Sequence, residues 1–243
     1  MTSRPLAILL PPSEGKASGG RRTAWSPDDG KFGSALGHKR LALAVALTAA
    51  GGGDDTLLGV RGKHLAAAQQ ANASLLDSRT LPAARRYTGV VWNHLDLESL
   101  PADARRLANR SLFVVSGLLG VVALGDPTPD YRLKMGARLQ SFGALSTWWR
   151  ADLSDALNDA LARRVVIDLL PNEHRAAWTP TPHRYREGVR VTFVERNGKV
   201  AGHDAKAAKG DLARHVLLTG GDAIAALHSW RNDRFDLDIA EIA

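Results

Sequence analysis

The chain has 243 residues, of which 44% are hydrophobic and 23% are charged; this composition indicates a folded globular protein and excludes a disordered one. It contains no cysteine, which excludes disulfides, thiolate zinc sites, iron–sulfur clusters and a cysteine nucleophile. The formal net charge of +7 favours a polyanionic partner. A general enrichment in arginine would give the same charge without such a partner, because the basic residues are spread along the whole chain.

The apolar runs are short. The longest cover residues 6–10 and 112–122, and the second is interrupted by Ser116, Gly117 and Gly120. Neither approaches the roughly 20 residues that span a bilayer, and the first is too short for the core of a secretory signal. We therefore expect a cytoplasmic protein with no membrane contact.

The first half of the chain alternates between patterns typical of strands and of helices. Residues 17–33 are rich in glycine, serine, aspartate and proline and predict a long surface loop. The other predicted elements are a strand at 6–10, a helix that ends at 51–53, a helix at 63–76, a strand at 88–92, a helix at 101–110 and a strand at 112–115.

The second half contains the clearest helix, at 145–164, with one apolar stripe formed by Leu145, Trp148, Trp149, Leu153, Leu157 and Leu161. A strand at 165–169 follows, then a hairpin of 189–195 with 199–203 around Asn-Gly, and a basic helix at 204–218. The alternation predicts a mixed α/β fold: a single compact domain over residues 1–243, with a central mixed sheet and flanking helices.

The common catalytic motifs are missing. The sequence has no nucleophile elbow, phosphate-binding P-loop, dinucleotide fingerprint or His-Glu-x-x-His zinc helix. Its eight histidines are scattered, and no two lie three or four residues apart on a helix as a metal pair would. We expect neither a catalytic metal nor a cofactor.

The loop after the first strand combines several reactive side chains. Ser13, Glu14 and Lys16 supply a hydroxyl, a carboxylate and an ammonium, and Gly15 allows a ligand to approach the backbone. Ligand sites in α/β proteins favour the carboxyl ends of strands. A functional loop is therefore expected here, the alternative being a turn whose polar groups face water.

A second candidate segment follows the strand at 112–115. Glycines in Ser116-Gly117-Leu118-Leu119-Gly120 permit tight packing or expose amides to an anion. Arg132, Lys134 and Arg138 follow shortly afterwards and supply charge for a phosphate or carboxylate. The spacing alone equally suits a structural turn with a solvated basic face.

The C-terminal basic helix carries Lys206, Lys209, Arg214 and His215. Lys206 and Lys209 are three residues apart and share a face of the helix. Such a face is usually solvated, and binding of phosphate is the more specific alternative.

Residues 57–66 form a basic glycine-containing turn between two predicted helices, within a segment of about 41–76. The turn resembles a helix-hairpin-helix, in which hairpin amides and basic residues hold a DNA backbone without reading its sequence. Gly59, Arg61, Gly62 and Lys63 would be the DNA-binding residues. The two glycines are three residues apart, whereas the usual hairpin has them two apart, so a plain helical turn is the alternative.

Five motifs in this order carry a wider resemblance. They are the Ser13–Lys16 loop, the Ser116–Gly120 turn, Tyr131-Arg132-Leu133-Lys134-Met135-Gly136, Val166–Leu169 with Asn172-Glu173, and Lys206-Ala207-Ala208-Lys209-Gly210. Together they resemble the peroxide stress protein YaaA family. The first loop differs from the Ser-Pro-Ala-Lys type of better-known members, and His174 replaces a more usual tyrosine, as expected of a divergent branch.

This resemblance implies a cytoplasmic protein that lowers hydrogen peroxide damage, in part by limiting free iron. It also implies a compact α/β fold with a basic cleft and a helix-hairpin-helix, and binding to double-stranded DNA. In that cleft we expect anion-binding residues from all the candidate segments: Ser13, Lys16, Tyr131, Arg132, Arg138, Asn172, Lys209 and Arg214.

A different class of function remains open for the same cleft, namely an enzyme acting on a nucleotide, a nucleobase or a related small anionic ligand. Glu14, Glu173 and Lys206 would then be the catalytic residues, since carboxylates and a lysine in one cleft can act as general acid and base. A deep pocket would favour the enzyme, and a shallow basic groove edged by the hairpin would favour DNA. The oligomeric state is not predicted.

Overall fold

The computed structural model describes residues 5–20, 23–196 and 205–243. Within these ranges, the α-helices are α1 (Gly33–Ala49), α2 (Asp55–Leu58), α3 (Lys63–Ala73), α4 (Ala83–Arg86), α5 (Val90–Leu95), α6 (Ala102–Ser111), α7 (Leu145–Leu161), α8 (Asn172–Arg175), α9 (Ala205–Thr219) and α10 (Ala223–Ser229). The strands are β1 (Leu6–Leu10), β2 (Leu81–Pro82), β3 (Leu112–Ser116), β4 (Gly120–Ala123), β5 (Pro127–Thr128), β6 (Arg138–Leu139), β7 (Gly143–Ala144), β8 (Val165–Asp168), β9 (Glu187–Glu195) and β10 (Phe235–Glu241).

The centre of the fold is a six-stranded mixed sheet in the order β10-β9-β8-β1-β3-β4. Strands β9, β8, β1 and β3 run parallel to one another, and β10 and β4 pair antiparallel at the two edges. Ile8 of β1 lies opposite Leu112 of β3 and Ile167 of β8. All five residues of β1 are buried, as expected of a central parallel strand covered on both faces. The predicted mixed α/β class is confirmed.

The long helix α7 packs by the stripe that the sequence shows. Leu145, Trp149, Leu153, Leu157 and Leu161 are all buried. The indole N–H of Trp149 donates to the Gly117 carbonyl oxygen at 2.8 Å. This bond gives the buried indole the partner that a buried N–H requires, and it fixes α7 beside the turn after β3.

The predicted strand at 88–92 is wrong, because this segment forms the start of α5. Gly89, with φ of 98°, precedes the helix, which packs against α9. A Cβ at Gly210 would lie 2.2 Å from the Val91 carbonyl oxygen, so the two helices approach where α9 has no side chain. Valine and tryptophan favour strands locally, and here the burial of Val91 and Trp92 against a neighbouring helix outweighs that preference.

The predicted hairpin after β9 lies partly outside the described residues, since its turn and second arm fall at 197–203. Within the described residues, the antiparallel partner of β9 is β10, which the sequence analysis did not identify. Among the helices of the described chain, none is both long and apolar enough to cross a membrane.

Candidate functional site

A cavity of about 660 Å³ lies where the carboxyl ends of the parallel strands meet. The segments that follow β1 and β8 both line it, together with the middle of β9 and the start of α9. This is the edge at which open α/β sheets bind ligands, because parallel strands bring the loops that follow them together there. The sequence-predicted residues that line the cavity are Ser13, Glu14, Lys16, Tyr131, Arg132, Asn172, Glu173, Lys206 and Lys209.

The loop after β1 is fastened to the segment before α5. The Ser13 hydroxyl contacts the carbonyl oxygens of Gly15 and Thr88, and the Thr88 amide donates to the Gly15 carbonyl oxygen at 3.1 Å. A Cβ at Gly15 would lie 3.1 Å from the Thr88 hydroxyl oxygen, so a larger residue would crowd this joint. Ser13 therefore holds the shape of the loop in addition to lining the cavity.

Lys16 projects into the cavity with few compensating charges. Its Nζ donates to the Ser13 carbonyl oxygen at 2.9 Å and lies 4.1 Å from the centre of the Tyr131 ring. Burial lowers the pKa of Lys16 to about 7, with the charges of Arg132 and Arg86 acting in the same direction. Among the described residues, no carboxylate lies within ion-pair distance of this amine. A substantial fraction of Lys16 is therefore uncharged at neutral pH.

The Tyr131 ring is held in place by a buried hydroxyl network. Its hydroxyl lies 2.7 Å from the Ser116 hydroxyl and 2.9 Å from the Tyr87 hydroxyl, and Ser116 also accepts from the Leu119 amide. Burial raises the pKa of Tyr131 to about 12, so the phenol stays protonated. The Ser116–Gly120 turn therefore serves to position the ring beneath Lys16.

Glu14 lies at the mouth of the cavity, between two cations. Its carboxylate oxygens lie 2.8 Å from Arg132 Nη2 and 3.2 Å from Lys134 Nζ, and its side chain is 56% exposed. Burial opposes its ionisation, but the hydrogen bonds and charges of Lys134 and Arg132 outweigh that effect and lower its pKa. Glu14 is therefore ionised and paired, which weakens it as a base.

The opposite wall follows β8 and contains a buried carboxylate. Asp168 is almost fully buried and lies 2.6 Å from Arg175 Nε. Arg175 also donates to Asn172 Oδ1 at 2.8 Å and to the Leu170 carbonyl oxygen at 2.7 Å, so its fork fixes the whole turn. The side-chain oxygen of Asn172 therefore stabilises this wall of the cavity through its hydrogen bond with Arg175.

The neighbouring Glu173 keeps a half-exposed carboxylate. Burial, aided by the charge of Lys209, lowers the pKa of His174 to about 3. Glu173 Oε1 lies 3.5 Å from His174 Nδ1, but the imidazole is neutral and forms no ion pair. A Cβ at Gly136 would lie 2.8 Å from Glu173 Oε2, so Gly136 borders this carboxylate closely.

Two further lysines enter from the first turns of α9. The Lys209 amine donates to the Leu169 carbonyl oxygen. Burial lowers the pKa of Lys209 to about 8, against the opposing charge of Asp168. Lys206 lines the same cavity. Neither lysine has a carboxylate within ion-pair distance among the described residues, so the cavity has spare positive charge for an anion.

Two predicted anion-binding residues lie away from the cavity lining. Arg138 is exposed on the short strand β6. Arg214 donates to the carbonyl oxygens of Leu95 and Asp96 at 3.0 and 2.7 Å and to the Ser99 hydroxyl at 2.8 Å. Those acceptors lie at the end of α5 and just beyond it, so Arg214 holds α9 to α5. Arg214 lies more than one helical turn beyond Lys209 along α9, so its side chain does not point in the same direction as that of Lys209.

The predicted DNA-binding hairpin joins α2 to α3. Gly59 and Gly62 adopt positive φ values of 62° and 58°. Lys63 is exposed and Arg61 is 91% exposed, with Arg61 Nε 3.5 Å from Asp55 Oδ2. The helix before the hairpin is α2, which is a single turn of four residues. The longer helix α1 ends earlier, at Ala49.

The hairpin is joined to the mouth of the cavity. Arg132 Nε donates to the Leu58 carbonyl oxygen at 3.0 Å, and a Cβ at Gly59 would lie 3.1 Å from Lys134 Nζ. The Asn72 side chain in α3 donates to the Arg132 carbonyl oxygen and accepts from the Arg132 amide. Arg132 therefore contacts both the hairpin and Glu14 at the cavity mouth.

Several residues that line or support the cavity were not predicted from the sequence. Trp92 and Phe193 form apolar parts of the cavity wall, and Trp92 was assigned to a strand that does not form. Arg175 was missed although Asp168 gave a signal, since a carboxylate inside an apolar strand requires a buried partner. Within the described residues, no group of three histidine, aspartate or glutamate side chains is placed to hold a metal ion.

These features define an α/β protein with a lysine-rich cavity at the carboxyl edge of a mixed sheet. The sequence model of a family described as peroxide stress protein YaaA matches residues 6–241, and the chain belongs to that family.

Relatives of similar length support this membership. A UPF0246 protein of Streptomyces coelicolor is 35% identical over 218 residues, covering 88% of this chain and 84% of the relative. A UPF0246 protein of Corynebacterium glutamicum is 35% identical over 231 residues, covering 90% and 87%. One from Corynebacterium efficiens is 32% identical over 226 residues, covering 91% and 89%. The family description supports a role related to peroxide stress.

Proposed function

We propose that this chain limits oxidative damage in the cytoplasm by binding double-stranded DNA without sequence specificity, through phosphate contacts from the hairpin and the cavity mouth. The observation that carries the proposal is the direct connection between the two. Arg132 contacts the hairpin through Leu58 and lines the cavity, and Lys134 lies beside Gly59.

The hairpin carries hydrogen-bond donors and positive charges that can bind phosphate oxygens. Arg61 and Lys63 are exposed cations, and no side chain caps the start of α3. The Leu65 amide donates to the Gly62 carbonyl oxygen, which leaves the Lys63 and His64 amides to face an anion. Such contacts fix a protein on the duplex without reading bases. They also predict affinity that falls steeply with salt.

The test is duplex binding by the double variant Arg61→Ala/Lys63→Ala over a range of salt concentrations. Each exposed cation contributes on the order of 1 kcal/mol, so affinity should fall by roughly 10- to 30-fold for all sequences alike. The log–log salt slope should become shallower by about 0.9 for each phosphate that the variant no longer neutralises.

The matched control is Arg106→Ala/Lys31→Ala, which removes the same charge from exposed positions outside the hairpin and the cavity. The control should retain most of the affinity. Equal affinities of the two double variants, or no binding of the unmodified protein at low salt, would contradict the proposal.

A second candidate function is that of an enzyme acting on a nucleotide, a nucleobase or a related small anion in the cavity. It is favoured by Lys16 and Lys209, whose buried amines line a cavity of about 660 Å³, the size of a small-molecule site. Lys16 is better suited than the paired Glu14 to accept a proton at neutral pH, because its pKa is about 7. In this scheme Lys206 and Lys209 hold the anion, and Glu173 supplies a carboxylate.

Binding of a small organic phosphate would support this second function if Lys209→Met weakened it and Lys31→Met did not. Absence of any such binding would contradict it. Duplex binding is a separate measurement, so the two candidate functions can succeed or fail independently.

A further inference from the structure

We propose that Lys16 is a nucleophile that forms an imine with an aldehyde or ketone carrying a phosphate or carboxylate group. The inference rests on the second candidate function, because it specifies the substrate class of the same cavity. In this inference Lys16 forms the covalent bond, and Lys206 and Lys209 bind the anionic group.

The surroundings of Lys16 leave the amine available for attack. Its Nζ makes one hydrogen bond within the described residues, to the Ser13 carbonyl oxygen, and in the neutral amine the nitrogen lone pair remains free. The Tyr131 ring beneath it is fixed, since the phenol hydroxyl is committed to Ser116 and Tyr87. The amine is thus held at the wall of a cavity large enough for a small metabolite.

Burial is the main effect that favours the neutral amine of Lys16. Among the nearby charges, that of Asp130 acts most strongly and favours protonation, as does Glu14, whereas Arg132 and Arg86 oppose it. Glu14 is already paired with Arg132 and Lys134 at the cavity mouth. Burial outweighs the attraction of these carboxylates and lowers the pKa of Lys16 to about 7, which provides the neutral amine that lysine nucleophiles require.

Lys209 is the other buried amine of the cavity, and its position suits it to a different role. It donates to the Leu169 carbonyl oxygen, and the charge of Asp168 favours its ammonium form. With Lys206 on the same turn of α9, it provides positive charge for the anionic group of the substrate. Because Lys16 reacts with a carbonyl group and Lys206 and Lys209 bind an anion, the substrate must contain both groups.

The reaction balances without an oxidant or reductant. The Lys16 nitrogen attacks the carbonyl carbon, and the carbon–oxygen π pair moves to oxygen. Transfer of a proton from nitrogen to oxygen gives a carbinolamine, which loses water as the carbon–nitrogen double bond forms. The products are the imine and one water molecule.

The test uses glyceraldehyde 3-phosphate with borohydride, and glycerol 3-phosphate as the matched ligand without a carbonyl group. Reduction of the imine should increase the mass of the chain by the mass of the aldehyde compound less one oxygen atom. Peptide mapping should place the adduct on Lys16. A duplex with one abasic site, whose ring-opened sugar is an aldehyde between phosphates, tests whether DNA supplies the same chemistry.

Lys16→Met should abolish the adduct, whereas Lys209→Met should raise the aldehyde concentration needed to form it. Lys31→Met is the control outside the cavity and should label like the unmodified protein. A second variant, Lys16→Arg, keeps a cation at this position and separates loss of the nucleophile from loss of the fold. It should bind glycerol 3-phosphate and still form no adduct.

Adduct formation on Lys16 from either carbonyl source supports the inference. Binding of glycerol 3-phosphate without a Lys16 adduct from either source overturns it and leaves the second candidate function standing. Failure of glycerol 3-phosphate to bind, with labelling spread over exposed lysines, overturns both. The results with glyceraldehyde 3-phosphate and glycerol 3-phosphate do not depend on duplex binding through the hairpin.

Discussion

Lys16 and Glu14 are two residues apart and have opposite electrostatic surroundings. The Glu14 carboxylate is ionised and held by Arg132 and Lys134 at the cavity mouth. The Lys16 amine is buried over Tyr131 and has no carboxylate within ion-pair distance among the described residues. We therefore propose the lysine as the reactive group of this loop, although the carboxylate would be the more usual general base.

The burial of Lys16 should make stability depend on pH. Its pKa falls from 10.5 in the unfolded chain to about 7 in the folded protein, so between these values the unfolded chain holds a proton that the folded protein has lost. Stability therefore increases with pH across this window. Lys16→Met should raise the free energy of unfolding at pH 7 by up to a few kcal/mol.

This stabilisation should shrink as pH rises toward 10.5 and persist in full below pH 7. Urea unfolding at several pH values measures it, with Lys31→Met as the control whose effect should not vary in this way. A Lys16→Met effect that is the same at pH 6 and pH 10 would show that the amine is charged in the folded protein.

At the scale of secondary-structure elements, α3 is attached to the cavity mouth by one buried amide side chain. Asn72 donates to the carbonyl oxygens of Gly52 and Arg132, both at 2.9 Å, and accepts from the Arg132 amide at 2.8 Å. A fully buried side chain with three hydrogen bonds to two other segments determines where the hairpin lies. The hairpin is therefore positioned by tertiary contacts and not by the helical turn α2.

Asn72→Ala should lower the free energy of unfolding by about 1–3 kcal/mol, because it leaves buried backbone groups without partners. Urea unfolding measures the loss. Asn93→Ala, which removes an exposed asparagine from α5, is the control and should stay within about 0.5 kcal/mol. If the two variants were destabilised equally, Asn72 would not be the attachment described.

At the scale of the whole molecule, the cavity joins two parts of the chain that are far apart in sequence. Lys16 follows β1, and Lys206 and Lys209 lie at the start of α9, near the other end of the sequence. The sheet brings them together because β1, β8 and β9 are adjacent and parallel. The excess of positive charge at the site is a property of this topology.

Anion binding in the cavity should take up protons. A bound dianion favours the ammonium forms of Lys16 and Lys209, whose pKa values are about 7 and about 8, so binding raises both. Sulfate suits the test because its own charge stays constant through the neutral range. Its affinity should decrease as the pH is raised through these two pKa values.

Isothermal titration in two buffers of different ionisation enthalpy measures the protons taken up with sulfate. Lys16→Met and Lys209→Met should each reduce the uptake, and Lys31→Met should not. Sulfate affinity that is constant across this pH range would show that neither amine titrates beside the bound anion.

The sequence alone determined the elements whose signals are local. Three elements could be recognised from their own hydrophobic patterns, without knowledge of distant residues. They are β1 with its apolar run, α7 with its apolar stripe and β9 with its alternation of apolar and polar residues. The loop after β1 and the start of α9 were also identifiable, since their polar residues adjoin predicted elements. A mixed α/β fold with a cavity at the strand ends follows from those signals.

Only the tertiary structure decided the features that depend on distant neighbours. Residues 88–92 have strand-forming side chains, yet they lead into α5 because α9 packs against them at Gly210. Arg214 belongs to the same basic helix as Lys209 but holds the end of α5. The protonation of Lys16 is fixed by burial and by charges from other segments. Packing and electrostatic interactions act between residues that are close in space. The sequence pattern identifies the residues, but the neighbours that set their conformation and pKa values are known only from the tertiary structure.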